Sequence, residues 1–314
     1  MITEIMNYLQ DSVSKSVKLY FIERNKNQRT KEITYNVFKA KINDFIGTEL
    51  IKIGIDQLES ELKGDPEYIE YGVLPYSDKE VVEYVKREDV PYLDDVIPEI
   101  LGSNVQNFKM ENADKITGYI VRVESDGKVL LLFKKYNSRR LLEKGKLSIV
   151  LHQGRFEDLN DNILVLDGLY DAMLFLKEGE DNGSANVFIF NRTQFEFMFS
   201  FIDFYENEVT EQKDNIDEKN IISDSNTFIE LCKTDSRKIK KFARIVKNGS
   251  FDKMDIDNIH EIVDKFGLDL NFDGKGRVIV TDDNIWVVLR LLDDDHLISE
   301  LTSSKYEARS KVKK

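Results

Sequence analysis

A chain of 314 residues with a formal net charge of −13, 41% hydrophobic and 11% aromatic, is long enough for two domains and too apolar to carry the signature of a disordered protein. Its single cysteine, Cys232, excludes an internal disulfide framework and any multi-thiolate zinc or iron–sulfur site, and fits a buried, inert thiol in a reducing compartment. No apolar run approaches the roughly 20 residues needed to span a bilayer, and the opening MITEIMNYLQDSVSK carries acids where a signal peptide has an unbroken apolar stretch, so the chain reads as a cytoplasmic protein that reaches a membrane only through a partner.

From the N-terminus, Ile2, Ile5, Met6 and Leu9 recur at helical intervals. The runs SVKLYFIER and EITYNVF alternate apolar and polar positions as strands do, with Lys26 to Arg29 as the polar turn between them. KINDFIGTELIKIGIDQLESELK follows as a helix, although Ile51, Ile53 and Ile55 also fit a strand period. All four prolines, Pro66, Pro75, Pro91 and Pro98, then fall within 33 residues. Proline removes a backbone donor and biases the preceding residue away from helix. That window therefore reads as an irregular domain connection, with short helices around EVVEYVK and LDDVIPEIL.

Beyond it, KITGYIVRVES and KVLLLFKKY flank Asp126-Gly127, a strong hairpin signal. LSIVLHQ, ILVLDG and ANVFIF supply further strands. From Asn191 the period changes: RTQFEFMFSFIDFYENEV sets Phe195, Met198, Phe199, Ile202 and Tyr205 on one helical face, widened by Phe197, Phe201 and Phe204. ENEVTEQKDNIDEKN reads as a solvated helix end or surface loop, and helices follow near 225–232, 236–248, 256–266 and 283–295. The expected class is α+β: an antiparallel β-meander followed by a helical segment, preceded by a smaller mixed α/β domain. The expected division is 1–110 and 111–314.

Motifs for bond-making chemistry are incomplete. Asp269-Leu-Asn271-Phe-Asp273-Gly274 begins like a calcium-binding EF-hand loop, but its twelfth position is Val280 in place of a bidentate glutamate. A polar turn leading into the strand GRVIV is the better reading. Asp167, Asp171, Asp282 and Asp283 are available to a metal-dependent nuclease, without a distinguishing spacing. His152, His260 and His296 form no local ligand pair, and no phosphate loop, dinucleotide fingerprint, zincin motif or serine elbow occurs. No metal or cofactor is implied.

Basic clusters remain. SRKIKKFARIVKNG holds six cations and no acid. Asp235 or Ser236 caps its start, Gly249 closes its end, and Ile239, Phe242, Ala243 and Val246 form an apolar stripe. Arg237, Lys238, Lys240, Lys241, Arg244 and Lys247 are then expected on the remaining, positive surface. KKYNSRR adds Lys134, Lys135, Arg139 and Arg140, and the tail SSKYEARSKVKK adds Lys305, Arg309 and Lys311. Such clusters attract phosphate backbones by counterion release. A net charge of −13 does not prevent this, because distant acids are screened beyond roughly 8–10 Å. A basic helix face can equally be solvated, pair with the acidic stretch near Glu206 to Asp217, or dock an acidic subunit.

The runs GYIVRVESDGKVLLLFKKYNSRR, ILVLDGLYDAMLFLKEG, VFIFNRTQFEFMFSFIDFYENEV and LISELTSSKYEARSKVKK, spanning roughly 112–314, resemble the bacterial KwaB-like family of the Kiwa anti-phage defence system. The resemblance implies a cytosolic defence protein that binds DNA and works with a membrane-embedded partner, KwaA, to restrain phage DNA replication or transcription. It implies recruitment to the inner face of the membrane by that partner and supplies no catalytic residues. A homo-oligomer is expected, since symmetry aligns modest basic patches into a longer track. A metal-dependent nuclease and a protein-interaction scaffold using the acidic surface are the alternatives.

Overall fold

The computed structural model describes residues 2–72, 81–136, 153–154, 164–165, 169–179, 184–298 and 302–307. The chain forms two compact units: most of the chain up to Phe201 builds the first, and the second begins at Ile202. The fold is α+β.

The first unit runs α1 (Ile2–Gln10), β1 (Ser16–Lys26), β2 (Ile33–Ala40), α2 (Asp44–Leu62), β3 (Glu67–Glu70), β4 (Val81–Lys86), α3 (Leu93–Leu101), β5 (Gln106–Asn107), β6 (Ile116–Ser125), β7 (Lys128–Lys135), β8 (Gln153–Gly154), β9 (Leu164–Val165), β10 (Ala172–Lys177), β11 (Asn186–Ile189) and α4 (Arg192–Met198). Among the described residues nine strands form one sheet in the order β3-β4-β11-β10-β7-β6-β1-β2-β5, while β8 and β9 pair separately. Neighbours in the large sheet are antiparallel except β2–β5 and β3–β4. The β6–β7 hairpin turns through Asp126 and Gly127, both at positive φ (49° and 68°), as the Asp-Gly pair predicts.

Alternation sets the layers. Leu19, Phe21, Val121, Leu130 and Leu132 face α1 and α2, joining Ile2, Ile5, Leu9, Leu50 and Leu58 in one core. On the opposite face Phe133 meets Phe199 with ring centroids 5.6 Å apart, and Arg122 donates to the carbonyl of Ile100 in α3 at 2.9 Å. Both faces are covered, which explains why β7 and β10 read as continuous apolar runs.

Several expectations change here. Within EVVEYVK, Val81–Lys86 form a strand, β4, paired with β11 in the sheet, not a short helix. LDDVIPEIL is helical as expected, with Pro98 inside α3. The described part of the proline window thus contributes structure to the first unit. A division at residue 110 runs through the sheet, because β1 pairs with β6 over eight positions. LSIVLHQ and ILVLDG lie largely outside the described residues.

The aromatic run RTQFEFMFSFIDFYENEV does not form one helix. It breaks after α4 at Ser200, which sits at φ 52°, and resumes as α5 (Phe201–Glu211). The second unit continues with α6 (Lys213–Lys219), α7 (Ser225–Lys233), α8 (Ser236–Lys247), α9 (Ile256–Phe266), β12 (Asn271–Phe272), β13 (Val278–Ile279), α10 (Ile285–Leu292), β14 (His296–Ile298) and β15 (Lys305–Glu307). Its core stacks Phe228, Phe242 and Phe251 edge to face at 5.0 and 6.1 Å. Cys232 is buried there, and burial pushes its thiol up to about 12, so it is inert at neutral pH.

Candidate nucleic-acid interface

The six cations of α8 occupy different environments. Asp235 caps the helix, its carboxylate accepting from the Arg237 amide at 2.8 Å and from the Arg237 guanidinium. Gly249, at φ 62°, closes the other end. Ile239, Phe242, Ala243 and Ile245 are buried, and Val246 is half-buried in the place expected of a stripe residue. Lys238 and Lys241 are buried too. Lys238 donates to the Thr234 hydroxyl at 2.9 Å and to Asp282 at 3.3 Å. Lys241 and Arg244 converge on Asp293 and Asp295, which follow α10 and are almost fully buried.

This corrects the expectation of a uniformly positive outer face. Lys238, Lys241 and Arg244 point toward carboxylates and fasten α8 to the segments around α10. A buried ion pair cannot turn to a phosphate without leaving its partner charge unpaired. Arg237 and Lys247 stand at the surface, and Lys240 is half-buried. In the tail, Lys305 donates to the Lys265 carbonyl and lies 5.8 Å over the Phe266 ring. Arg309 and Lys311 lie outside the described residues.

The end of β7 is arranged differently. Lys134 pairs at 3.2 Å with Asp171, whose carboxylate also accepts the Lys135 amide at 2.6 Å. Asp171 is fully buried, and burial pushes its carboxyl above the ordinary range against the pull of these two donors. The Lys135 side chain lies on the α4 face, its Nζ 4.4 Å over the ring of Phe197. From β1, the Arg24 guanidinium reaches the same ring at 4.8 Å. Phe197 itself is 44% exposed. Arg139 and Arg140, which follow Lys135 by a few residues, lie outside the described residues.

Hydrogen bonds at both ends of α4 hold Phe197 in place. At the N-terminus Arg192 donates to Glu83 at 2.6 Å and to Glu196 at 2.8 Å, while Tyr71 also donates to Glu196. At the C-terminus the orphan carbonyls every helix leaves find donors on the sheet: Arg24 Nη1 approaches the Phe197 carbonyl at 3.4 Å, and the Tyr35 hydroxyl donates to that of Met198 at 3.0 Å. Both side chains also reach the Ser200 hydroxyl at 3.1 Å. Gly118 on β6 lets α4 come this close, since a Cβ there would meet Met198 Cε at 2.5 Å and the Lys134 carbonyl at 3.2 Å.

Residue-level reasoning located Lys135 but missed Arg24 and Phe197. Arg24 lies in a strand without a local charge cluster, and Phe197 was absorbed into the aromatic stripe. The available signal was its offset, because Phe195, Met198 and Phe199 share the buried face while Phe197 falls outside it.

The KwaB-like model of the Kiwa proteins matches residues 113–302, three-fifths of the chain. The chain belongs to the KwaB-like family. That family is one of Kiwa anti-phage defence, and this KwaB-like chain is thereby a Kiwa component. No curated protein and no solved structure matches it. The matched span includes β7, α4 and α8, whereas Arg24 and Tyr35 come from outside it.

The other sequence motifs have structural roles. Asp273 accepts from the Lys275 and Arg277 amides at 2.8 and 2.9 Å and from the Arg277 guanidinium, forming the polar turn that was expected in preference to a calcium loop. His260 stacks on Phe272 with ring centroids 4.1 Å apart. Among the described residues no group of three or more His, Cys, Asp or Glu side chains is placed to hold a metal ion. Among them, too, no helix is long and apolar enough to cross a membrane. His152 and Asp167 lie outside the described residues.

Proposed function

We propose that this KwaB-like protein binds DNA with little base specificity through the cationic surface at the end of β7. In this reading it restrains phage DNA replication or transcription together with a membrane-embedded partner resembling KwaA. The observation that carries the proposal is the pair of cations, Lys135 and Arg24, gathered on the exposed Phe197 ring at 4.4 and 4.8 Å. The chain continues from there into Arg139 and Arg140. Phosphate contacts of this kind position a protein on DNA without reading sequence. Lys134, Lys241 and Arg244 leave the contact set because buried aspartates already neutralise them, and Lys238 because its own side chain is buried; Arg237, Lys240, Lys247, Lys305, Arg309 and Lys311 stay as secondary contacts.

A salt titration of duplex binding, followed by anisotropy, tests this. Affinity should fall with salt by roughly 0.9 log unit per phosphate contact per log unit of salt, and charge reversal at Lys135, Arg139 and Arg140 should flatten that slope. No binding at about 50 mM salt, where a protein contacting several phosphates binds far more tightly than at 200 mM, would refute it. So would an unchanged slope in the triple variant.

A further inference from the structure

Phe197 is an apolar ring kept half in solvent by a frame of hydrogen bonds, and two cations from different strands are drawn to it. A single exposed Phe needs no explanation. A rigid one with cations from β1 and β7 has the composition of a single-strand site, in which bases stack on aromatic rings while neighbouring cations track the backbone. We propose that Phe197, Arg24 and Lys135 form a stacking site for an unpaired base of single-stranded nucleic acid. This rests on the nucleic-acid reading above and narrows it to strands whose bases are free, because the faces of paired bases are already stacked on one another.

The contacts exchange in a simple way. A stacked base contributes more than an ammonium at an exposed ring. The flexible stem of Lys135 lets its ammonium leave the ring for a flanking phosphate as the base arrives. The Arg24 guanidinium is tethered to Ser200 at 3.1 Å and stays, offering its own flat surface and charge beside the ring. No bond is made or broken, so the site calls for no metal or catalytic group. It suits a protein acting where phage DNA is unwound.

The test compares anisotropy of labelled oligo(dT) and oligo(U) of roughly 20 nucleotides, long enough for one or two sites, with that of a mixed-sequence duplex. In Phe197→Ala, affinity for single strands should fall roughly tenfold or more, the range expected from losing a stacked base, while duplex affinity changes less than about twofold. Phe197→Trp should restore single-strand binding, and matching thermal unfolding of all three proteins excludes a folding defect. The oligo(dT) and oligo(U) arms identify which polynucleotide is the ligand. Equal single-strand binding by wild type and Phe197→Ala, with duplex binding intact, overturns the stacking site alone. Wild-type protein that binds neither form overturns the function it rests on.

Discussion

Lys241 has a role that its sequence neighbourhood conceals. Its two carboxylate partners, Asp293 and Asp295, lie more than fifty residues away, so SRKIKKFARIVKNG reads as a positive surface although half its cations face inward. Removing one member of a buried, hydrogen-bonded ion group leaves the others uncompensated. Lys241→Ala should therefore destabilise the second unit by about 3–5 kcal/mol, while Lys247→Ala, at the surface of the same helix, should change it by less than about 0.5 kcal/mol. Urea unfolding followed by the single tryptophan, Trp286 on α10, reports this unit directly. A Lys241→Ala effect as small as that of Lys247→Ala would mean that the Lys241 cluster contributes nothing. The same unit carries Asp224, Asp235 and Asp273, each held below the ordinary carboxylate value of 3.8 by hydrogen bonds, from Thr227, Arg237 and the Arg277 amide respectively. A depressed folded pKa means the unfolded chain binds protons more readily, so this stability is present above 3.8 and lost as pH falls through the folded values. Asp224→Asn with Asp235→Asn retains cap acceptors without titrating, and should make the acid limb of the Trp286 transition shallower.

At the scale of elements, Gly118 sets how closely α4 approaches the sheet. A methyl group there meets Met198 and the backbone of β7, and overpacking of this kind costs about 1–3 kcal/mol. Gly118→Ala should lower stability by that amount and weaken single-strand binding through displacement of Phe197; unchanged stability would show that Met198 moves aside freely. What sequence reasoning recovered follows from the range of the forces involved. The β6–β7 hairpin was legible because Asp126-Gly127 and the alternation beside it are local. The cap of α8 was legible for the same reason, since the Asp235 side chain closes its own helix. EVVEYVK was misread because neighbouring prolines outweighed the β-branched residues Val81, Val82 and Val85, which fit a pleated strand. The break at Ser200 was illegible, because the partners that accommodate it, Arg24 and Tyr35, arrive from strands more than 160 residues earlier.

For the whole molecule, the family span and the folding units do not coincide. Residues 113–302 contain β6, β7, β10, β11 and α4 but not β1, which pairs with β6 from Ser16↔Glu124 to Glu23↔Ile116 and shares the core with α1 and α2. Without residues 1–110, β6 becomes an unpaired edge. Phe21, Leu50 and Leu58 leave the core, and one side of the Phe197 site loses Arg24. An exposed apolar edge of that length pairs with other copies instead of folding. A fragment of residues 111–314 should aggregate, or leave the amides of β6 and β7 unprotected from hydrogen exchange. A fragment of residues 202–314 retains its aromatic core and the Lys241 cluster, and should unfold cooperatively in urea near the midpoint that Trp286 reports in the full chain. A cooperative, exchange-protected 111–314 fragment would overturn this account and make the N-terminal strands an accessory to a self-sufficient KwaB-like domain. The opposite result makes those strands half of the sheet that presents Phe197, so that any protein of this build must bring its own N-terminal half to hold the site together.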